Sequence, residues 1–140
     1  MRKDLLVFGL VLAALGMGGC ISIHSEEERI PPRPPMRGDT DATIQEIDAV
    51  GKLDFDNNRH AAYRNIARRE GLSDRAQVHL VDAVFKRLSF ENMKVDVLLT
   101  LIENPCFSPA AKGAILSRLD SLAFENNKLQ ILQAIDKRHV

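Results

Sequence analysis

Tryptophan is absent, tyrosine occurs once, cysteine twice, and aromatic residues make up only 5% of the 140 residues. Two cysteines cannot supply the framework of a disulfide-stapled miniprotein. Basic and acidic residues balance at 19 each, for a formal net charge of zero. That balance excludes the electrostatic footprint of a general nucleic-acid binder or a polybasic membrane-surface protein. The most apolar stretch, Leu5 to Leu15, covers eleven residues, where a membrane span needs about twenty. There is no glycine-rich phosphate loop and no cofactor motif, and four of the eight glycines fall within the first nineteen residues. What is present, 45% apolar and 27% charged residues, suits a helical domain of ordinary solubility.

Residues 1–19 have the layout of a cleaved export signal. Met1-Arg2-Lys3 is a short basic start interrupted by Asp4, the apolar run follows, and Gly16-Met17-Gly18-Gly19 puts small residues directly before Cys20. This segment resembles a bacterial lipoprotein signal peptide, with Gly18 and Gly19 at the small positions and Met17 where leucine is commonest. The resemblance implies that the chain is cut before Cys20, that the Cys20 sulfur carries a diacylglyceryl thioether and that its new amino group is acylated. Each buried methylene contributes about 0.8 kcal/mol, so several acyl chains on one residue make a stable anchor. By analogy with lipoprotein sorting, Ile21 rather than aspartate after Cys20 implies outer-membrane retention in a cell with two membranes. Loss of Arg2, Lys3 and Asp4 leaves a net charge of about −1. With Cys20 acylated, Cys106 is the remaining thiol and no intrachain disulfide can form.

Residues 20–39 read as a linker. Glu26-Glu27-Glu28 precedes Pro31-Pro32-Arg33-Pro34-Pro35, which holds four of the six prolines, and apolar periodicity is missing. Proline favours the polyproline II conformation, so this is a semi-rigid tether, able to hold the following domain up to roughly 60 Å from the lipid at about 3.1 Å per residue. Proline-rich segments also serve as ligands for aromatic grooves; beside an anchor, the tether is the simpler reading.

Residues 40–140 carry an internal repeat. Leu53-Asp54-Phe55-Asp56-Asn57-Asn58-Arg59 recurs as Leu88-Ser89-Phe90-Glu91-Asn92-Met93-Lys94 and as Leu122-Ala123-Phe124-Glu125-Asn126-Asn127-Lys128, at spacings of 35 and 34. Leucine, phenylalanine and asparagine are identical in the three copies, one position is always acidic and one always basic. Apolar columns continue in register through Tyr63, Leu98 and Leu132 and through Ile66, Leu101 and Ile135, and Ser73 matches Ser108. Such a period is the mark of stacked units that bury a shared core. The three-and-four spacing of Leu80, Val81, Val84, Phe85 and Leu88, repeated by Ile115, Leu116, Leu119 and Leu122, gives one helix face per unit. Ser73 and Ser108 are N-cap candidates, the latter followed by Pro109. The acid-asparagine pair is expected to start the second helix of each unit by accepting from its free N–H groups. Gly71 and Pro105 mark helix ends.

The predicted architecture is all-α: three stacked helical hairpins with helices at about 41–53, 57–70, 74–88, 92–103, 109–122 and 126–138. The Leu-x-Phe pair is expected to fill each junction, so that Phe90→Ala should cost about 3–5 kcal/mol. The period is that of the tetratricopeptide repeat, whose Trp and Leu-Gly signature is missing. The recurring Phe-acid-Asn-x-basic phrase, over about residues 45–138, resembles a bacterial domain-of-unknown-function family of short helical repeats often found behind an export signal. That resemblance implies no known activity and no catalytic residues.

Candidate chemistry is sparse. His24, His60, His79 and His139 have no partner at metal-ligand spacing, and His24 beside the three glutamates lies in the tether. Cys106, in an inter-helix turn, would need a histidine base to act as a nucleophile, with His79 the candidate. Arg59, Arg64, Arg68 and Arg69 cluster on one helix and are candidates for contact with an anion or partner, although Asp54, Asp56 and Glu70 could neutralise them as a solvated face. Composition and motifs thus point to a lipid-anchored, non-catalytic interaction module with a protein or envelope-component partner. The alternative is an envelope enzyme using Cys106 with a nearby histidine.

Overall fold

Ser73 and Ser108 begin helices as their positions require. The Ser73 hydroxyl accepts from the Ala76 N–H at 3.2 Å and the Ser108 hydroxyl from the Ala111 N–H at 3.1 Å, with Pro109 in the first turn. The computed structural model describes residues 37–138, with side chains from Thr40. The export signal, Cys20, the proline-rich tether, His24 and His139 lie outside the described residues. Within them the chain is all-α. Helices α1 (Arg37–Val50), α2 (Asp56–Ala67), α3 (Asp74–Arg87), α4 (Glu91–Glu103), α5 (Pro109–Leu116) and α6 (Glu125–Lys137) follow in order, with a 3-10 turn at Leu119–Ser121 before the last.

Each helix packs on the next but one. α3 lies between α1 and α5, and α4 between α2 and α6, so two layers of three helices enclose the core. Tyr63, Ile66, Leu80, Val81, Val84, Val97, Leu98, Leu101, Ile115 and Ile131 are buried there. At about 1.5–3 kcal/mol for each large apolar side chain removed from water, this core is the main source of stability.

Helix ends differ from the sequence expectation where local polar groups intervene. α1 starts at Arg37, inside the span assigned to the linker, and ends at Val50 in a turn closed by Lys52 N–H to Ala49 O and Leu53 N–H to Val50 O. α2 ends at Ala67, four residues before Gly71, whose φ of +76° reverses the chain in the region glycine favours. α5 stops at Leu116 rather than 122 and gives way to the 3-10 turn, where the hydroxyls of Ser117 and Ser121 bond back to the carbonyls of Ala114 and Arg118.

A buried polar network ties the inter-unit loops together. Gln77 Nε2 donates to the carbonyls of Leu72 (2.9 Å) and Cys106 (2.8 Å), while its Oε1 accepts from Ser108 N–H at 3.0 Å. Asn104 Nδ2 donates to the carbonyls of Ala67 and Arg69, both at 2.8 Å, and its Oδ1 accepts from Cys106 N–H at 2.8 Å. Both amides therefore meet their full donor capacity, as groups 1% and 4% exposed must.

The largest departure concerns the repeated phenylalanines. Phe55, Phe90 and Phe124 are 70%, 59% and 64% exposed, so they do not fill the junctions. Leucine does: Leu88 and Leu122 are each 2% exposed. Each phenylalanine is the N-cap residue of α2, α4 or α6 in extended backbone geometry, which turns its side chain away from the core.

Candidate interaction surface

As N-cap residues, Phe55, Phe90 and Phe124 have no side-chain acceptor, and among the described residues no side-chain cap forms on α2, α4 or α6; the backbone N–H groups just before α4 and α6 do find a side-chain acceptor. The acceptor comes from the neighbouring unit. Asp56 Oδ2 accepts from Ser89 N–H at 2.8 Å. Glu91 accepts from Ala123 N–H at 2.7 Å, Phe124 N–H at 3.0 Å and the Asn127 side-chain amide at 2.8 Å. The repeated acid does start the second helix, as expected, but it caps the following unit's helix and not its own. Burial works to raise both carboxyls. The Ser89 and Phe90 backbone donors with Arg59 overcome this at Asp56, and Asn127, Ala123, Phe124 and Lys94 overcome it at Glu91, so both sit below their ordinary values.

The three phenylalanines are the N-cap residues of the adjacent helices α2, α4 and α6 of one layer, and the acid clamp holds the backbone at two of them, Phe90 and Phe124. Neighbouring helix axes lie about 8–10 Å apart, so the N-cap positions that carry the rings recur at about the pitch of one helix. Beside each ring stands an exposed asparagine, Asn57, Asn92 or Asn126. Phenylalanine and asparagine are therefore identical in every unit at positions where the core does not need them. The leucine of the same motif is also identical, but it has a packing reason at Leu88 and Leu122, which are buried. A repeated exposed ring beside a repeated exposed amide offers flat apolar contact together with paired hydrogen-bonding groups.

The arginine cluster disperses in the fold. Arg59 donates to the carbonyls of Arg87 and Asp54 and pairs with Asp56 at 3.2 Å. Arg64 pairs with Asp96 at 3.2 Å, and Arg69 forms a two-pronged pair with Glu46 on α1. That pairing lowers the Glu46 carboxyl and raises the Arg69 guanidinium, chiefly through the side-chain hydrogen bond. Arg68 is exposed and is the one member of the four without an ion pair among the described residues. Anion contact by the whole cluster would require opening three intramolecular pairs.

Cys106 is exposed. Its backbone belongs to the Gln77 and Asn104 network, and no histidine ring bonds to it among the described residues. His79 instead pairs with Asp48 at 2.7 Å, and His60 with Asp96 at 2.7 Å. A small cleft of about 140 Å³ between α1 and α3 is lined by Asp48, Gly51, Tyr63, His79 and Arg87. The buried Tyr63 hydroxyl has no hydrogen-bond partner among the described residues, and burial pushes its pKa up. Among the described residues no group of His, Cys, Asp and Glu is placed to hold a metal ion, and no helix is long and apolar enough to cross a membrane.

The sequence marked the phenylalanines but misassigned their role, because an identical residue in every repeat reads equally as core or as surface. The signal available in the sequence was the acid that follows each ring, since a carboxylate at the start of a helix holds its neighbourhood at the solvent edge. Comparison with protein-family models, with curated proteins and with solved structures finds no match to this chain.

Proposed function

We propose that the chain is a lipid-anchored cell-envelope protein whose helical-repeat domain is a non-catalytic interaction module, docking a partner along the row Phe55, Phe90 and Phe124. The observation that carries this reading is the recurrence of one exposed ring in every unit, 70%, 59% and 64% accessible, at a position the core does not use. A row at the pitch of adjacent helices, about 8–10 Å, matches the rise of one heptad of a partner helix, roughly 10.5 Å at 1.5 Å per residue. The partner is accordingly a protein with a heptad-spaced apolar stripe, met at the envelope surface.

The location rests on the signal-like residues 1–19 and on Cys20. Anchoring through lipid on Cys20, export and outer-membrane retention belong to the proposal, as does kinship with the family of unknown-function helical repeats. A photo-crosslinking residue at Phe90 in cells should capture one discrete protein, and the same residue at Asn65, exposed on α2, should not. Equal capture from both positions, or none from Phe90, would remove the phenylalanine row from the proposal.

A further inference from the structure

Seven large apolar side chains stand exposed among the described residues: Phe55, Phe90, Phe124, Leu53, Leu116, Leu129 and Leu132. The four leucines are explained by where their units end. By the repeat spacing, Leu116, Leu129 and Leu132 correspond to Val81, Val95 and Leu98 of the middle unit. They are 40%, 53% and 42% exposed, whereas their counterparts are 0%, 4% and 0% exposed. What covers those positions is the unit that follows. Leu53 corresponds to Leu88 and Leu122; it is 40% exposed and they are each 2% exposed, so its cover is the unit that precedes.

The polar groups show the same open ends. Asp56 and Glu91 each clamp the backbone of the next unit. Their counterpart Glu125 has an 85% exposed side chain and, among the described residues, bonds to Lys128 alone, three residues along its own helix. At the other end, the backbone N–H groups of Asp54 and Phe55, counterparts of the clamped Ala123 and Phe124, have no acceptor among the described residues. One end thus offers an unused acid and three uncovered leucines, and the other offers two unused N–H donors and one uncovered leucine.

We propose that a second copy of this chain docks head to tail on the first, repeating the chain's own unit-to-unit contact: Glu125 of one copy caps the Asp54 and Phe55 N–H groups of the next, and Leu53 closes against the Leu116, Leu129 and Leu132 face. The occupant is a second copy because a contact of this kind already occurs twice within the chain: the acid at one repeat position, Asp56 or Glu91, accepts from backbone N–H groups that open the next unit's motif, and the leucine of that motif, Leu88 or Leu122, is buried. Repeat arrays that end as monomers carry a polar outer face on the terminal unit, and three leucines on one outer face are not that. The contact is heterologous, so it leaves one free end of each kind and extends beyond a dimer.

Sedimentation of the full chain in detergent over a concentration series tests this. The natural sequence should grow past dimer as concentration rises. A back-blocked variant, Glu125→Arg with Leu132→Glu, and a front-blocked variant, Leu53→Glu, should each associate at least tenfold more weakly while keeping the helical circular dichroism. Mixed in equal amounts, the two variants should form a dimer and stop there, because each retains one intact end. A natural chain that stays monomeric throughout, or either variant assembling alone as well as the natural chain does, would overturn the proposal.

Discussion

The Glu91 carboxylate reaches across 33 residues of sequence to accept the Phe124 backbone N–H at 3.0 Å, capping a helix to which it does not belong. A helix N-cap contributes about 0.5–2 kcal/mol, and here that contribution is also an inter-unit tie. Glu91→Ala should therefore destabilise the protein by about 1–2 kcal/mol in denaturant melts. Glu125→Ala, at the same repeat position but with its side chain 85% exposed and paired with Lys128 on its own helix, should stay within about 0.5 kcal/mol in dilute solution.

Acid should loosen the same ties. The carboxyls of Asp56 and Glu91 lie below their ordinary values in the folded chain, so the unfolded chain takes up their protons first. Their stabilisation is present above the ordinary carboxylate range and is lost as pH falls through the lowered folded values. Thermal melts from pH 7 downward should show a falling midpoint, and Glu91→Gln should both lower the midpoint at neutral pH and flatten the decline.

Exposure reverses the expected ranking within each repeated motif. Phe90→Ala should change stability by no more than about 0.5 kcal/mol, as surface substitutions do. Leu88→Ala, two residues earlier and 2% exposed, should cost about 2–5 kcal/mol. Chemical denaturation of both variants checks the order, and a phenylalanine loss as large as the leucine loss would contradict the surface assignment.

Asn104 offers a test of the loop network. Asn104→Ala leaves the carbonyls of Ala67 and Arg69 and the Cys106 N–H without the side-chain partner each has now. Since a buried polar group stripped of its partner costs about 1–3 kcal/mol, the variant should lose at least that much. Hydrogen exchange should report the damage at Cys106, whose amide would become the fastest-exchanging in its loop.

For the proposed anchor, Cys20→Ser should release the protein from the membrane fraction, because the thioether needs the sulfur. Fatty-acid labelling followed by fractionation measures it, and a serine variant that stayed labelled and membrane-bound would refute lipidation at Cys20.

Helix count, the Ser73 and Ser108 caps and the repeat register were legible in the sequence because each rests on local chemistry or on period. Sidedness at the helix starts was not. Phe90 and Leu88 lie two residues apart on extended backbone, and the apolar pattern does not say which of two large side chains turns inward. Nor does a lone carboxylate reveal whether it caps its own helix or the next. That choice depends on the distance between units, which only packing sets. The arginines illustrate the same limit: the sequence groups Arg64 and Arg69 in one basic cluster, yet one pairs with Asp96 on α4 and the other with Glu46 on α1.

The acid clamp also has a direction. Asp56 completes the start of α4, and Glu91 completes the start of α6, so each cap is supplied by the part of the chain that is synthesised earlier. A chain folding vectorially from its N-terminal side finds the acceptor for each new helix already in place. Growth from the opposite side would begin α6 and α4 with their first amides bare. The order in which the acceptors are supplied is thus the order of the chain itself, from Asp56 toward Lys137.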